Sequence, residues 1–86
     1  MGRQAKLLER ILSGRSDANM RFSDLISLLL HLGFAERTRG DHHILSMNGI
    51  EEILNLQPKG AMAKAYQVKQ VRQVILRYGL GANEHE

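Results

Sequence analysis

The chain has 86 residues, of which 43% are hydrophobic, and it carries a net charge of +3 at pH 7 and no cysteine. This length suits one small domain, and the lack of cysteine excludes disulfides and thiolate zinc sites. Without an apolar run of about 18 residues, we expect no membrane-spanning helix. The N-terminus lacks the pattern of a signal peptide, so we expect a soluble cytoplasmic protein.

A short first helix is predicted over residues 5–12. Its apolar positions, three or four residues apart, are Leu8, Ile11 and Leu12. Gly14 ends this helix, because glycine readily adopts the left-handed conformation found just past helix ends. Residues 15–19 are polar and rich in turn formers, which predicts a linker.

A second helix is predicted to begin at Ser23, whose hydroxyl suits the N-cap position, and to end at Gly33. Its apolar stripe comprises Leu25, Leu28, Leu29 and Leu32, and it is widened by Ile26 and Leu30. So wide a stripe predicts a largely buried helix. His31 lies on the opposite side, and we assign it no role.

Three stretches with strand character follow, at 34–39, 42–47 and 50–57. Asn48-Gly49, between the last two, is a strong hairpin signal because a type I′ turn needs positive φ at both central residues. We therefore predict that the second and third stretches form a tight antiparallel hairpin.

The chain closes with a predicted helix over residues 67–78, which ends at Gly79. One face carries Val68, Val71, Val74, Ile75 and Tyr78, and the other carries Lys69, Arg72, Gln73 and Arg77. The element order is then α–α–β–β–β–α. A meander of three antiparallel strands with the helices packed on one face is the simplest α+β fold for this order.

Basic residues dominate the last third of the chain. Between Gln57 and Asn83 stand Lys59, Lys64, Lys69, Arg72 and Arg77, with no acidic residue among them. Such a distribution suits a polyanion or an acidic protein partner. It is also typical of a solvated helix face, so charge alone leaves both interpretations open.

The adjacent histidines His42 and His43 point to opposite faces of the sheet if they lie on a strand. With a two-residue loop, the register sets His43 opposite Leu54 and His42 opposite Asn55. One face then carries His43, Leu45, Met47, Ile50, Glu52 and Leu54, and the other carries His42, Ile44, Ser46, Glu51, Ile53 and Asn55. The first face is more apolar, which predicts that it packs on the helices. His43 is then partly buried and His42 lies on the open face, although a longer loop would change this pairing.

The sequence allows several interpretations of what these two histidines do. A lone strand histidine is commonly structural or simply exposed. A metal site is disfavoured, because the two side chains diverge and only Asp41 lies nearby, whereas zinc or iron normally needs three convergent groups. The pattern alone therefore leaves His42 either as a polar surface residue or as a general base.

Three segments together resemble the HicA family of toxins, which are small ribonucleases of bacterial and archaeal toxin–antitoxin pairs. They are FSDLISLLLHLGF, RTRGDHHIL and QVKQVRQVILRYGL, and the resemblance covers about residues 21–80. It implies a fold like a double-stranded-RNA-binding domain, with one helix, three strands and one helix. The chain then divides into an N-terminal helix and linker at 1–20, a HicA-like domain at 21–80 and a tail at 81–86.

The resemblance also implies a function. In this family the first histidine of the Gly-x-His-His element is catalytic, and it falls on His42. The implied enzyme cleaves mRNA without a metal or other cofactor, and a HicB-type antitoxin protein silences it by covering the active site. Two departures are Asp41, where the family commonly has serine, and residues 1–19, which precede the usual start. A carboxylate beside His42 favours the imidazolium form yet repels phosphate.

The resulting hypothesis is cleavage of RNA by its own 2′-OH, with His42 as the general base. Residues expected to bind RNA are Arg37, Arg39, Lys64, Lys69, Arg72 and Arg77. Residues expected to support the site are Gly40, Asp41, His43 and Asn55. Two alternatives stay open: a non-catalytic RNA-binding module of the same fold, and an interaction protein whose basic helix binds an acidic partner.

Overall fold

The computed structural model describes residues 2–82 and shows the predicted order of helices and strands. The helices are α1 (Arg3–Ser13), α2 (Phe22–His31) and α3 (Ala65–Tyr78), with a 3₁₀ turn at Asp17–Asn19. The strands are β1 (Ala35–Arg39), β2 (His42–Ser46) and β3 (Leu54–Leu56), in the antiparallel sheet order β1-β2-β3. The predicted α+β class and meander are therefore confirmed. Residues 83–86 of the predicted tail lie outside the described residues.

A hydrophobic core lies between the sheet and the helices. It includes Leu7, Leu8, Ile11, Leu25, Leu28, Leu29, Val68, Val71 and Ile75 from the helices, and Leu45, Leu54 and Leu56 from the sheet. The three sheet leucines lie on the same face and are at most 2% exposed. The helices therefore cover that face and leave the other uncovered, and α1 packs into the same core as the rest of the chain.

The start of α2 differs from the prediction. Arg21, not Ser23, holds the N-cap position, and its side chain makes no capping hydrogen bond. Instead the N–H of Phe22 donates to the carbonyl of Ala61, 3.0 Å away, so a neighbouring backbone segment satisfies the helix start. The earlier start brings Phe22, which is 7% exposed, into the core. Leu30 is 44% exposed, so the buried stripe is also narrower than predicted.

The loop between β2 and β3 is longer than the predicted hairpin. β3 begins only at Leu54, and His43 pairs with Leu56 instead of Leu54. Gly49 has φ of 88° but Asn48 has no positive φ, so the turn is not type I′. Other turn types splay the strands, and pairing resumes several residues later. A shift of two residues keeps every side chain on its predicted face, because side chains alternate with period two.

The tight hairpin joins β1 to β2 instead. Arg39 pairs with His42 across the two-residue turn Gly40-Asp41, where Gly40 has φ of 58°. Glycine at the first central position is typical of a type II′ turn, whose twist matches that of the flanking strands. The turn makes His42 the first residue of β2 and sets Arg39 directly opposite it.

Arg72 fastens α3 to the N-terminal segment. Its guanidinium donates to the Asp17 carboxylate at 2.8 and 3.0 Å and to the Ile11 carbonyl at 3.0 Å. The side chains of this ion pair are only 18% and 12% exposed. The hydrogen bonds from Arg72 hold the pKa of Asp17 below its ordinary value. The segment predicted as a polar linker is thus a structured connection.

Candidate functional site

We call the sheet face that the helices leave uncovered the open face. Its strand residues are Ala35, Arg37, Arg39, His42, Ile44, Ser46 and Asn55. Cross-strand pairing arranges them in rows: Arg39 with His42, Arg37 with Ile44 and Asn55, and Ala35 with Ser46. These seven described side chains include two arginines and a histidine and no carboxylate, so the strands offer a surface suited to an anion.

His42 lies exposed on this face, beside the residue that the sequence predicted as its neighbour. Its Nδ1 is 3.0 Å from Oδ1 of Asn55. Asn55 pairs with Ile44, so the bond runs diagonally between adjacent rows. Because an amide oxygen only accepts, Nδ1 donates in this bond, and Nε2 is the ring nitrogen that can take up a proton. The bond therefore selects the tautomer that a general base needs.

Positive charge is close to His42. Arg39 is its direct cross-strand partner, and Arg37 occupies the next row. Side chains in directly opposite positions have Cβ atoms about 4.5–5.5 Å apart, so the Arg39 side chain starts within reach of any anion bound at His42. Asp41 is exposed in the turn that links these two residues and adds one carboxylate at the end of the row.

His43 is placed differently, as the sequence predicted. It lies on the covered side of the sheet, and its side chain is 26% exposed. Its Nδ1 is 2.6 Å from Oε2 of Glu36 on β1. Its ring meets the ring of Phe22 edge-on, with centroids 4.9 Å apart. These contacts join β1, β2 and α2, which is a structural role.

The predicted cations of the last third of the chain do not join His42. Lys64, Lys69, Arg72 and Arg77 lie on or next to α3, which packs against the covered side of the sheet. Arg72, which the sequence predicts to bind RNA, has its guanidinium bonded to Asp17, and its side chain is only 18% exposed. Arg77 donates to Glu52 at 2.9 Å. Of the six predicted RNA-binding cations, Arg37 and Arg39 are the two that share a face with His42.

One residue that supports β3, Gln67, was not predicted from the sequence. Gln67 is only 2% exposed, and its amide faces the backbone of Gln57. Oriented to make both bonds, the amide donates to the Gln57 carbonyl at 3.0 Å and accepts from its N–H at 3.1 Å. These two bonds anchor the backbone just past the end of β3, two residues along the chain from Asn55. The available signal was a glutamine directly before Val68, at the edge of the apolar face of α3.

Tyr78 anchors the loop that leads into β3. Its hydroxyl donates to Oε1 of Glu52 at 2.6 Å and accepts from the N–H of Glu51 at 3.3 Å. The hydrogen bond from Tyr78 lowers the pKa of Glu52, and the same bond raises the pKa of Tyr78. Hydrogen bonds to Tyr78 therefore hold this loop against α3, and β3 begins directly after the loop.

Comparison with protein-family models, with curated proteins and with solved structures finds no match to this chain. Within residues 2–82, no group of three or more metal-ligating side chains is placed to hold a metal ion. No helix in that range combines the length and apolar character needed to cross a membrane. The functional interpretation therefore rests on the geometry of the open face and on the sequence motifs.

Proposed function

We propose that the protein is a metal-independent endoribonuclease of the HicA toxin type, with His42 as its general base. The observation that carries this proposal is the placement of His42: it is exposed on the open face, with Nδ1 bound by Asn55 and Arg39 directly opposite. The Gly-x-His-His element points to the same residue on separate grounds. A histidine whose Nε2 is available for proton transfer, and which has arginines beside it, is suited to act as a general base in phosphate-ester cleavage.

The reaction uses the RNA's own hydroxyl as the nucleophile. Nε2 of His42 takes the proton of a ribose 2′-OH while that oxygen attacks the adjacent phosphorus. The bond from phosphorus to the 5′-oxygen breaks, and the leaving oxygen takes up a proton from water. One fragment then carries a 2′,3′-cyclic phosphate and the other a 5′-hydroxyl. Arg37 and Arg39 offset the negative charge that builds on the phosphoryl oxygens.

A cleavage assay with the purified protein and a mixed-sequence RNA tests the proposal. We expect fragments that end in a 2′,3′-cyclic phosphate, in equal yield with and without a chelator. DNA of the same sequence should stay intact, because it lacks the 2′-OH. Folded protein that binds RNA without cutting it would favour the non-catalytic RNA-binding module. Neither binding nor cleavage would favour the pure interaction protein.

RNA affinity should depend on the open-face arginines more than on the cations near α3. The double variant Arg37→Ala/Arg39→Ala should lower the salt slope of binding by about 1.4, since each phosphate contact with a single strand contributes about 0.7. The matched control Lys64→Ala/Lys69→Ala removes the same charge from the other side of the molecule. It should change the slope little, with a stability cost within about 0.5 kcal/mol per site. A larger loss in the control would indicate that the RNA binds along α3.

The proposal includes a protein partner, a HicB-like antitoxin that covers the open face. Ile53 is 66% exposed and lines one concavity of this face together with Arg37. Exposed apolar groups beside positive charge suit occlusion by an acidic protein. We expect co-expression with the adjacent gene to yield a complex that survives purification at high salt and does not cut RNA. Recovery of this chain alone, with no effect on growth when it is expressed alone, would count against a toxin.

A further inference from the structure

We propose that the open face carries a binding site for one nucleobase, in the rows next to His42. This inference rests on the proposed ribonuclease function and adds a subsite to it. The base belongs to a nucleotide adjacent to the phosphate that is cleaved.

The site is a shallow concavity of about 260 Å³. It is lined by Ala35, Glu36, Arg37, Ile44, Ser46 and Ile53. Ser46 pairs with Ala35 on β1, and continuing the β2–β3 register by one residue sets Ile53 on its other side. The concavity therefore reaches from β1 across β2 to Ile53, the residue before β3, and it includes part of the row that holds Arg37, Ile44 and Asn55.

The lining combines an apolar floor with few polar groups. Ala35, Ile44 and Ile53 supply the floor, and Ile53 remains 66% exposed. The polar side chains on this face of the lining are Ser46, whose hydroxyl both donates and accepts, and Arg37. The Glu36 carboxylate is engaged by His43 on the other side of the sheet. An apolar surface with a few directed polar groups is the usual composition of a small-ligand site.

Size and position select a nucleobase as the occupant. Sites for drug-sized ligands span about 300–1,000 Å³, so this smaller concavity suits a single planar ring system. Alternate residues of a strand are about 7 Å apart, which puts the Ile44 row one short step from His42. A single-stranded RNA whose phosphate lies at His42 and Arg39 can therefore turn a neighbouring base onto Ile44. Proteins commonly recognise RNA through the unstacked bases of single strands, whose faces and edges are exposed.

An apolar side chain of a protein partner would also fit the floor. The base is favoured by the continuity of the concavity with Arg37, Arg39 and His42, because a bound RNA would place its phosphates at these residues and a base beside them. The site is thus part of one surface that binds phosphate at one end and a base at the other.

Methyl NMR on the wild-type protein, with labelled isoleucine and histidine, tests this inference. The probe is an all-2′-O-methyl RNA hexamer, which cannot be cut, and its fully abasic counterpart keeps the phosphates. We expect the hexamer to shift the methyl signals of Ile44 and Ile53, and the abasic strand to shift only the ring signals of His42. If both strands shift His42 and neither shifts the isoleucines, the base site is wrong and the proposed function stands. If no signal moves and RNA stays uncut, both are wrong.

A pair of variants gives an independent measure. Ile53→Gln alters the floor of the concavity, while the control Leu76→Gln alters a residue of α3 with nearly equal exposure, 64% against 66%. Ile53→Gln should weaken binding of the hexamer by roughly five- to tenfold, the lower end of the range for one base stacked on an aromatic ring. It should leave binding of the abasic strand unchanged, and Leu76→Gln should affect neither. An equal loss for both strands, or for both variants, would overturn the base site.

Discussion

His42→Ala should abolish RNA cleavage while the protein stays folded. A positioned general base contributes about 10²–10⁴ in rate, and alanine removes the nitrogen that takes the 2′-OH proton. His42 is exposed, and the bond it loses is to the exposed side chain of Asn55. The free energy of unfolding should therefore change by about 1 kcal/mol or less. A gel assay of RNA fragments and a thermal unfolding curve on the same preparation measure both effects.

His43→Ala is the matched control, one residue along and on the opposite face. It removes the contact with Glu36 at 2.6 Å and the ring contact with Phe22 at 4.9 Å. We expect a loss of about 1–3 kcal/mol in the free energy of unfolding, with cleavage retained by the folded fraction. Wild-type cleavage by His42→Ala would show that the base is wrongly assigned. A stable but inactive His43→Ala variant would show that the two histidines have exchanged roles.

Leu45→Ala should destabilise the protein strongly, whereas the neighbouring Ile44→Ala should not. Leu45 is 0% exposed on the middle strand of the sheet, and a leucine-to-alanine change in a core costs about 2–5 kcal/mol. That is a large share of the roughly 5–15 kcal/mol that holds a typical domain together. Ile44 is half-buried on the open face and should cost about 1 kcal/mol. Urea midpoints of the two variants give the comparison.

The comparison also tests which face of the sheet is covered. Equal losses for Leu45→Ala and Ile44→Ala would mean that the open face is packed as tightly as the core. If the faces are as described, Ile44→Ala should instead weaken the binding of base-containing RNA. On this strand, Leu45 would then contribute to stability and its neighbour Ile44 to the binding of RNA.

The face on which each histidine lies could be predicted from the sequence, because only the parity of the register matters. The predicted pairing of His43 with Leu54 was wrong by two residues, and the observed partner is Leu56. Since side chains alternate, this error left His42 on the open face and still near Asn55. The central geometry of the candidate site was therefore predictable even though the loop length was not.

Contacts between distant parts of the chain explain what the sequence pattern missed. Tyr78 bonds to Glu51 and Glu52, 27 and 26 residues away, and holds the loop whose local signal favoured a tight turn. Helical periodicity placed Arg72 opposite the apolar stripe of α3. It could not show that the carboxylate of Asp17, 55 residues earlier in the chain, accepts a hydrogen bond from Arg72. Periodicity predicts the direction of a side chain, and only the fold decides what it meets.

Gln67 also protects the sheet from pairing with other chains. An unpaired strand edge offers a row of N–H and C=O groups on which a second strand can add, and such edges promote aggregation. β3 has only three residues, and the Gln67 amide occupies the backbone groups that Gln57 would otherwise present. At the opposite edge, β1 reads Ala-Glu-Arg-Thr-Arg, and its charges disfavour an added strand. Because neither edge favours the addition of a strand, the open face is the surface through which the sheet can contact other molecules.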